Sequence, residues 1–458
     1  MTLPPTDADE GATARLPESP AGGEWRRRVW RLSGPIIISN ITVPLLGAVD
    51  TAVVGHLPEA YYLGAVAVGA LIFNFVYWGF GFLRMGTTGF TAQAHGAGDS
   101  DEIRAALARA LIIATALALV ILLMQRPVIA VAMSLIAASP EVEEYARAYF
   151  AIRIWGAPAA LGNYVVLGWF LGRQNARAGL ALQVVINGLN IILDIVFVVG
   201  LGLAVPGVAL ATLISEYAGL ALGLVMVAVA LRRLGGRWRL GAILDASRLR
   251  RMAAVNLDIF VRTLCLIAAF AYLTAQGAQM GDVILAANAV LMIMVQFMSY
   301  GLDGFAHAAE ALVGRAVGAR DRAAFRGAVR ASTILALITA AAFAVMYALL
   351  GTTIIDVLTG VAEVRAAARD VLPWLVVAPL VSVWSYQLDG IFIGAVRSAE
   401  MRNAMIASLV MFVAAVTVLK PALGNHGLWL AFLVFMAARL VTLGAYYPRI
   451  ERSIADRR

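Results

Sequence analysis

From residue 32 to residue 447 the chain alternates long apolar runs with short polar breaks. Twelve of the runs are long enough to cross about 30 Å of hydrocarbon as helices. They are expected at 32–55, 62–88, 105–125, 145–171, 178–200, 206–231, 252–275, 283–311, 328–350, 371–394, 403–420 and 427–447. The breaks carry the charge. Those after even-numbered spans hold most of the arginines, among them Arg173, Arg177, Arg232, Arg233, Arg237, Arg239, Arg315, Arg320, Arg397 and Arg402, whereas alternate breaks such as 200–207 carry few. The positive-inside rule then places both termini in the cytoplasm. Residues 1–24 are rich in proline, glycine and acids and read as a disordered cytoplasmic tail rather than a signal peptide. The Trp25–Arg31 cluster that follows suits the headgroup boundary.

Composition agrees with the pattern. The 458 residues are 61% hydrophobic and 14% charged, with mean hydropathy +0.83, against about 45–50% and about 25% in a soluble domain. The chain is an all-α, multi-pass membrane protein. A net charge of +8 sits in loop clusters and implies no nucleic-acid partner. One cysteine, Cys265, excludes a disulfide framework and a thiolate metal cage.

The chain also repeats itself. Leu63–Ala106 aligns without a gap on Leu285–Ala328, matching Phe75 to Phe297, Gly79 to Gly301, Gly96 to Gly318, Asp99 to Asp321 and Arg104 to Arg326. The same offset brings Phe170 and Gly172 onto Phe392 and Gly394. Six spans per copy preserve orientation, so two six-helix lobes are expected, related by a pseudo-twofold axis along the membrane normal. The expected division is an N-lobe at 25–231, a basic cytoplasmic linker at 232–251, a C-lobe at 252–447 and a C-terminal tail at 448–458.

Polar residues inside the spans are the functional candidates, because a carboxylate in hydrocarbon costs at least ~2.5–3.5 kcal/mol. Asp303, His307 and Glu310 fall at i, i+4 and i+7 in GLDGFAHAAEALVGRAVGA and form one helical stripe that must face other helices or a water-filled cavity. Asp258 and Arg262 stand at i, i+4 on the seventh span and read as an internal ion pair, with Asp389 among glycines on the tenth. Arg84 on the second span reads as snorkelling or pairing with a carbonyl. His307 reads as hydrogen-bonded within its stripe, with metal binding the lesser alternative. No phosphate loop, His-Glu-x-x-His or Gly-x-Ser-x-Gly is present, so ATP drive is not expected and an intramembrane enzyme is only a remote alternative.

Three segments, GPIIISNITVPLLGAVDTAVVGHL, GLDGFAHAAEALVGRAVG and LDGIFIGAVRSAEMRNAM, resemble the MATE (multidrug and toxic compound extrusion) transporters, in their DinF-like branch, over about residues 30–447. The resemblance implies a twelve-helix, two-lobe exporter that exchanges amphipathic, often cationic compounds for H⁺ or Na⁺. It implies an N-lobe cation site at Asp50, Asn190, Asp194 and Thr212, able to take Na⁺, and a bent first helix with Pro35 and Pro44 as kink candidates. One departure is Leu46, where some relatives carry a tyrosine one turn before the acid. Counting 1.5 Å per residue puts Asp50, Asp194 and Thr212 at a common depth of roughly 20–25 Å, whereas Asp258, Asp303, Glu310 and Asp389 lie roughly 7–18 Å up. Those C-lobe residues, with Arg262 and His307, read either as lobe architecture or as a second coupling site. Expected partners are small molecules and the inner-membrane bilayer; the chain is expected to work as a monomer, without a cofactor beyond the coupling ion. A flippase for a lipid-linked molecule is the alternative on the same scaffold.

Overall fold

The computed structural model describes residues 22–55, 57, 59–136 and 138–454. Every regular element among them is helical: α1 (Gly22–Gly55), α2 (Ala60–Gly79), α3 (Phe82–Ala97), α4 (Ser100–Leu123), α5 (Gln125–Leu135), α6 (Pro140–Arg153), α7 (Ala157–Gly172), α8 (Ala176–Asp194), α9 (Ala204–Leu234), α10 (Leu240–Ile243), α11 (Ala246–Ala278), α12 (Asp282–Ala319), α13 (Arg322–Leu358), α14 (Ala362–Gly394) and α15 (Ser398–Ser453). Twelve crossings result. The second is α2 and α3 joined through Phe80 and Gly81, the fourth is α6 and α7 joined by one tight turn, and α15 supplies the last two as limbs on either side of Gly424 (φ 59, ψ −132).

Several boundaries differ from expectation. The helix α1 starts at Gly22, before the expected end of the tail; the rest of that tail lies outside the described residues. Helix persists from Leu231 to Leu234 and resumes at Ala246, so the linker is shorter than 232–251. The expected tail at 448–458 is helical as far as Ser453, because Glu451 is gripped there by Arg322 (3.2 Å) and Arg326 (2.5 Å). The short helix α5 has no counterpart among the twelve spans, since 11 residues cannot cross a bilayer.

The duplication is legible in backbone detail. Left-handed residues recur at one constant offset: Gly98 and Arg320, Gln174 and Val396, Gly202 and Gly424. Asp99 caps α4 by accepting from the Glu102 N–H at 2.9 Å, and Asp321 caps α13 from Ala324 at 2.8 Å. Arg104 ties the start of α4 to the end of α9 through the carbonyls of Leu231 (2.6 Å) and Gly235 (2.9 Å), and its counterpart Arg326 ties α13 to the end of α15 through Glu451. Inside each lobe a glycine lets two helices touch backbone to backbone: a Cβ on Gly168 would stand 2.4 Å from the Arg84 carbonyl oxygen, and one on Gly390 2.2 Å from that of Ala306.

Each lobe has its own core, and each lends its first helix to the other. Trp25, Val29 and Leu32 of α1 sit in the C-lobe cluster with Leu302, Phe305 and Ala328. Met252, Val255 and Ile259 of α11 join the N-lobe cluster with Leu83, Leu107 and Trp169. Trp25 is therefore packed inside the protein, against Gly327, rather than at a free headgroup boundary. The lobes meet at the end that carries the linker, where a Cβ on Gly96 would stand 1.9 Å from the Arg315 carbonyl oxygen and one on Gly318 1.9 Å from that of Gln93. Those two contacts are the same contact seen from either side of the twofold axis.

Candidate functional site

In the N-lobe, α8 presents Gln183, Asn187, Asn190 and Asp194 on one face and lays it against α1 and α9. With the Asn190 amide oriented so that both its atoms meet complementary partners, its NH2 donates to Asp194 Oδ2 at 3.0 Å. Its carbonyl oxygen lies 3.1 Å from both the backbone N–H and the hydroxyl of Thr212. Asn190 and Asp194 are 1% and 0% exposed. One turn away, Gln183 donates to Asn187 (3.0 Å), and Asn187 to the Thr42 hydroxyl of α1 (2.9 Å). Immediately after Asp194 the helix widens into a π turn over Ile195–Gly200, a deformation that recurs at functional sites because it frees a backbone carbonyl and re-aims a side chain.

The structure thus gathers three of the four expected N-lobe residues, Asn190, Asp194 and Thr212. Asp50 lies on α1, which packs on α8 and on the π turn; its side chain, like that of Pro44, lies outside the described residues. The helix α1 is helical throughout, through Pro35 and Pro44.

The C-lobe acids are held differently. Asp389 of α14 lies between two guanidiniums, Arg262 of α11 and Arg439 of α15, the latter at 2.5 Å, and all three side chains are buried. The i, i+4 pair expected between Asp258 and Arg262 does not form. Arg262 lies inside the lobe, where it pairs with Asp389 instead. Asp258 takes Arg402 (2.5 Å) and the Ser398 hydroxyl (2.8 Å) at the linker end. Asp303 lies within electrostatic reach of Arg84, Arg262 and Arg439. The helix α12 turns its polar stripe to the lobe boundary: Arg84 of α3 reaches His307 Nε2 at 3.0 Å and Glu310 Oε2 at 3.5 Å, and Glu310 is 0% exposed. His307 is hydrogen-bonded through Arg84 rather than within its own stripe. Three carboxylates (Asp303, Glu310, Asp389) thus face three guanidiniums (Arg84, Arg262, Arg439), a balance that a lipid-embedded interior requires. No group of three acidic, histidine or cysteine side chains among the described residues is arranged to hold a metal ion.

Arg439, Arg402, Asn187 and Thr42 were not expected at either site. The run from Gln183 to Asp194 on one helical face was readable from spacing alone. The arginines were not, because their partners lie on helices remote in sequence.

A family model, MatE, matches residues 35–196 and 259–419, one match in each lobe. The chain is 46% identical over 432 residues to DNA damage-inducible protein F of Escherichia coli K12, covering 93% of each. It is 28% identical to the probable multidrug resistance protein NorM of Caulobacter vibrioides, over 70% of this chain and 69% of that one. Its fold matches a solved outward-facing conformation of a multidrug resistance MATE family transporter with TM-score 0.84, at 21% identity, over 95% of this chain and 99% of the other.

Proposed function

The chain belongs to the MATE family of multidrug and toxic compound efflux transporters, and we propose that it exports amphipathic, often cationic compounds in exchange for H⁺ or Na⁺ bound at Asp50, Asn190, Asp194 and Thr212. It is a transporter and not an enzyme, and its apolar helices make it a multi-pass membrane protein. The observation that carries the coupling reading is the cluster of buried Asn190 and Asp194 with half-buried Thr212 beside a π turn. A carboxylate, an amide and a hydroxyl supply oxygens that ligate Na⁺ or hold a proton.

With the arginine-rich linker end in the cytoplasm of an inner membrane, the Gly96/Gly318 contact closes the molecule toward the cytoplasm. A cation entering from outside neutralises the buried acid, the segment around α1 and the π turn rearranges, and the substrate leaves. Rocking of the two lobes then returns the ion inward. One elementary charge crossing ~100 mV supplies ~2.3 kcal/mol, which sustains about a 50-fold gradient of a neutral substrate. One coupling ion and one chain suffice.

Transport by the purified protein in proteoliposomes, with pH and Na⁺ gradients imposed separately, tests this. Asp194→Asn and Asp50→Asn are each expected to abolish gradient-driven efflux while the protein remains monodisperse. Efflux at the wild-type rate in either variant overturns the assignment.

A further inference from the structure

A groove of about 470 Å³ opens on the outer face of the C-lobe, between α13, α14 and the second limb of α15. Its walls include Ile334, Leu388, Ile391 and Leu440, with Trp384 and Tyr447 at the edges. Lining this apolar cleft is Gln387, 2% exposed, with neither its amide nitrogen nor its carbonyl oxygen hydrogen-bonded to any described residue. Burying an unmatched amide costs about 1–3 kcal/mol, so a buried amide at a groove calls for a ligand carrying both apolar surface and a hydrogen-bonding group.

Charge identifies the class. Arg330, at the groove's mouth, is exposed and has no ion pair or hydrogen bond among the described residues. It continues the row of Arg322 and Arg326 along one face of α13, with Arg449 on the neighbouring limb. The acid Glu451 is already shared by Arg322 and Arg326. Arg330 lies two turns from the linker-end start of α13, and Gln387 two turns from the linker-end terminus of α14. The groove therefore runs from a cationic headgroup level into the hydrocarbon of the leaflet on the linker side. The repeat shows that the scaffold does not require this. At the corresponding N-lobe positions stand Ala108 and Val165, both apolar.

We propose that this groove is a binding site for an anionic phospholipid, its phosphate on Arg330, its glycerol-ester region on the Gln387 amide and its acyl chains along Ile334, Leu388, Ile391 and Leu440. The groove includes none of Asp50, Asn190, Asp194 and Thr212, so the proposal stands or falls independently of the cation-site reading.

The test is native mass spectrometry of the full-length protein titrated with phosphatidylglycerol or with phosphatidylcholine of identical chains. The wild type is expected to bind phosphatidylglycerol at least about tenfold more tightly, because both lipids carry the phosphate but the choline cation of phosphatidylcholine offsets its attraction to Arg330. Arg330→Gln is expected to lose that preference and Arg330→Lys to keep it, while Gln387→Leu weakens both lipids. Equal affinity of the wild type for the two lipids, or an unchanged preference in Arg330→Gln, overturns the proposal. So does displacement of the lipid by tetraphenylphosphonium, which would make the groove a substrate site. Arg330 is exposed, so its two variants carry the test even if Gln387→Leu fails to fold.

Discussion

The Arg84 bridge crosses the lobe boundary, so its removal is expected to change which conformation the protein prefers rather than whether it folds. Arg84 belongs to α3, and its partners His307 and Glu310 belong to α12. At 3.5 Å and an effective dielectric near 20, the Arg84–Glu310 attraction is about 4–5 kcal/mol before desolvation. Glu310 is fully buried, and besides Arg84 its carboxylate faces only the neutral Thr88 hydroxyl among the groups that act on it. Truncating Arg84 therefore strands a carboxylate, a situation that costs about 3–5 kcal/mol. Separating the lobes at the linker end hydrates Glu310 and relieves most of that cost. Since about 1.4 kcal/mol is a tenfold population change, Arg84→Ala is expected to raise the lobe-separated population at least tenfold. Glu310→Gln, which leaves Arg84 on His307, should raise it less. Spin labels on Arg177→Cys and Arg320→Cys, two exposed sites at the linker ends of the two lobes, read this as a distance distribution once Cys265 is replaced by serine. Distributions identical in wild type, Arg84→Ala and Glu310→Gln would refute the reasoning, because the bridge would then be equally intact in every conformation the protein visits.

Two further outcomes follow from contacts already described. Gly318→Ala places a methyl group 1.9 Å from a backbone carbonyl, so the linker end cannot close; the same label pair should report permanently separated lobes with transport abolished, and a wild-type distribution would show the helices can slide past each other at no cost. A double-mutant cycle in thermal unfolding should give a coupling of about 0.2–1 kcal/mol between Asp258 and Arg402, a partly exposed pair. The coupling between Asp258 and Arg262 should be near zero, and the reverse ranking would restore the i, i+4 pair.

The helices and the twofold repeat were legible because each depends on local chemistry, whereas the N-lobe trio was legible only through the family resemblance. Apolar length reports a span, and the offset that matched Gly96 to Gly318 in sequence is the offset at which the left-handed turns, the Asp caps and the Arg104/Arg326 ties recur. The pairing of charges was not legible. Spacing put Arg262 one turn from Asp258, but an arginine has reach enough to choose among helices, and in an apolar interior it goes to the carboxylate that shares its burial. The ends of α1 and α15 differ from expectation for a related reason. Their arginines and Trp25 have the composition of a tail or a headgroup anchor, yet tertiary contacts with Gly327 and with Arg322 and Arg326 hold them as helix.

The two lobes keep their glycines and differ in their charges, and the geometry explains why. At a twofold axis a close backbone approach is reciprocal: Gly96 meets Arg315 as Gly318 meets Gln93, so a side chain on either copy would push the same two helices apart. Within a lobe, Gly168 and Gly390 answer to the same helix pair in each copy. An acid carries no such constraint. Asp389 corresponds to Leu167, Glu310 to Thr88 and Asp194 to Val416, and each needs only a partner inside its own surroundings. Duplication therefore leaves one lobe free to hold a buried carboxylate on an amide that a threonine in turn supports, while the other neutralises its carboxylates with arginines. Of the two arrangements, the N-lobe trio sets a buried carboxylate beside a neutral amide and a hydroxyl, groups whose oxygens ligate a cation, and on that chemistry the N-lobe is the half to examine first for the coupling ion.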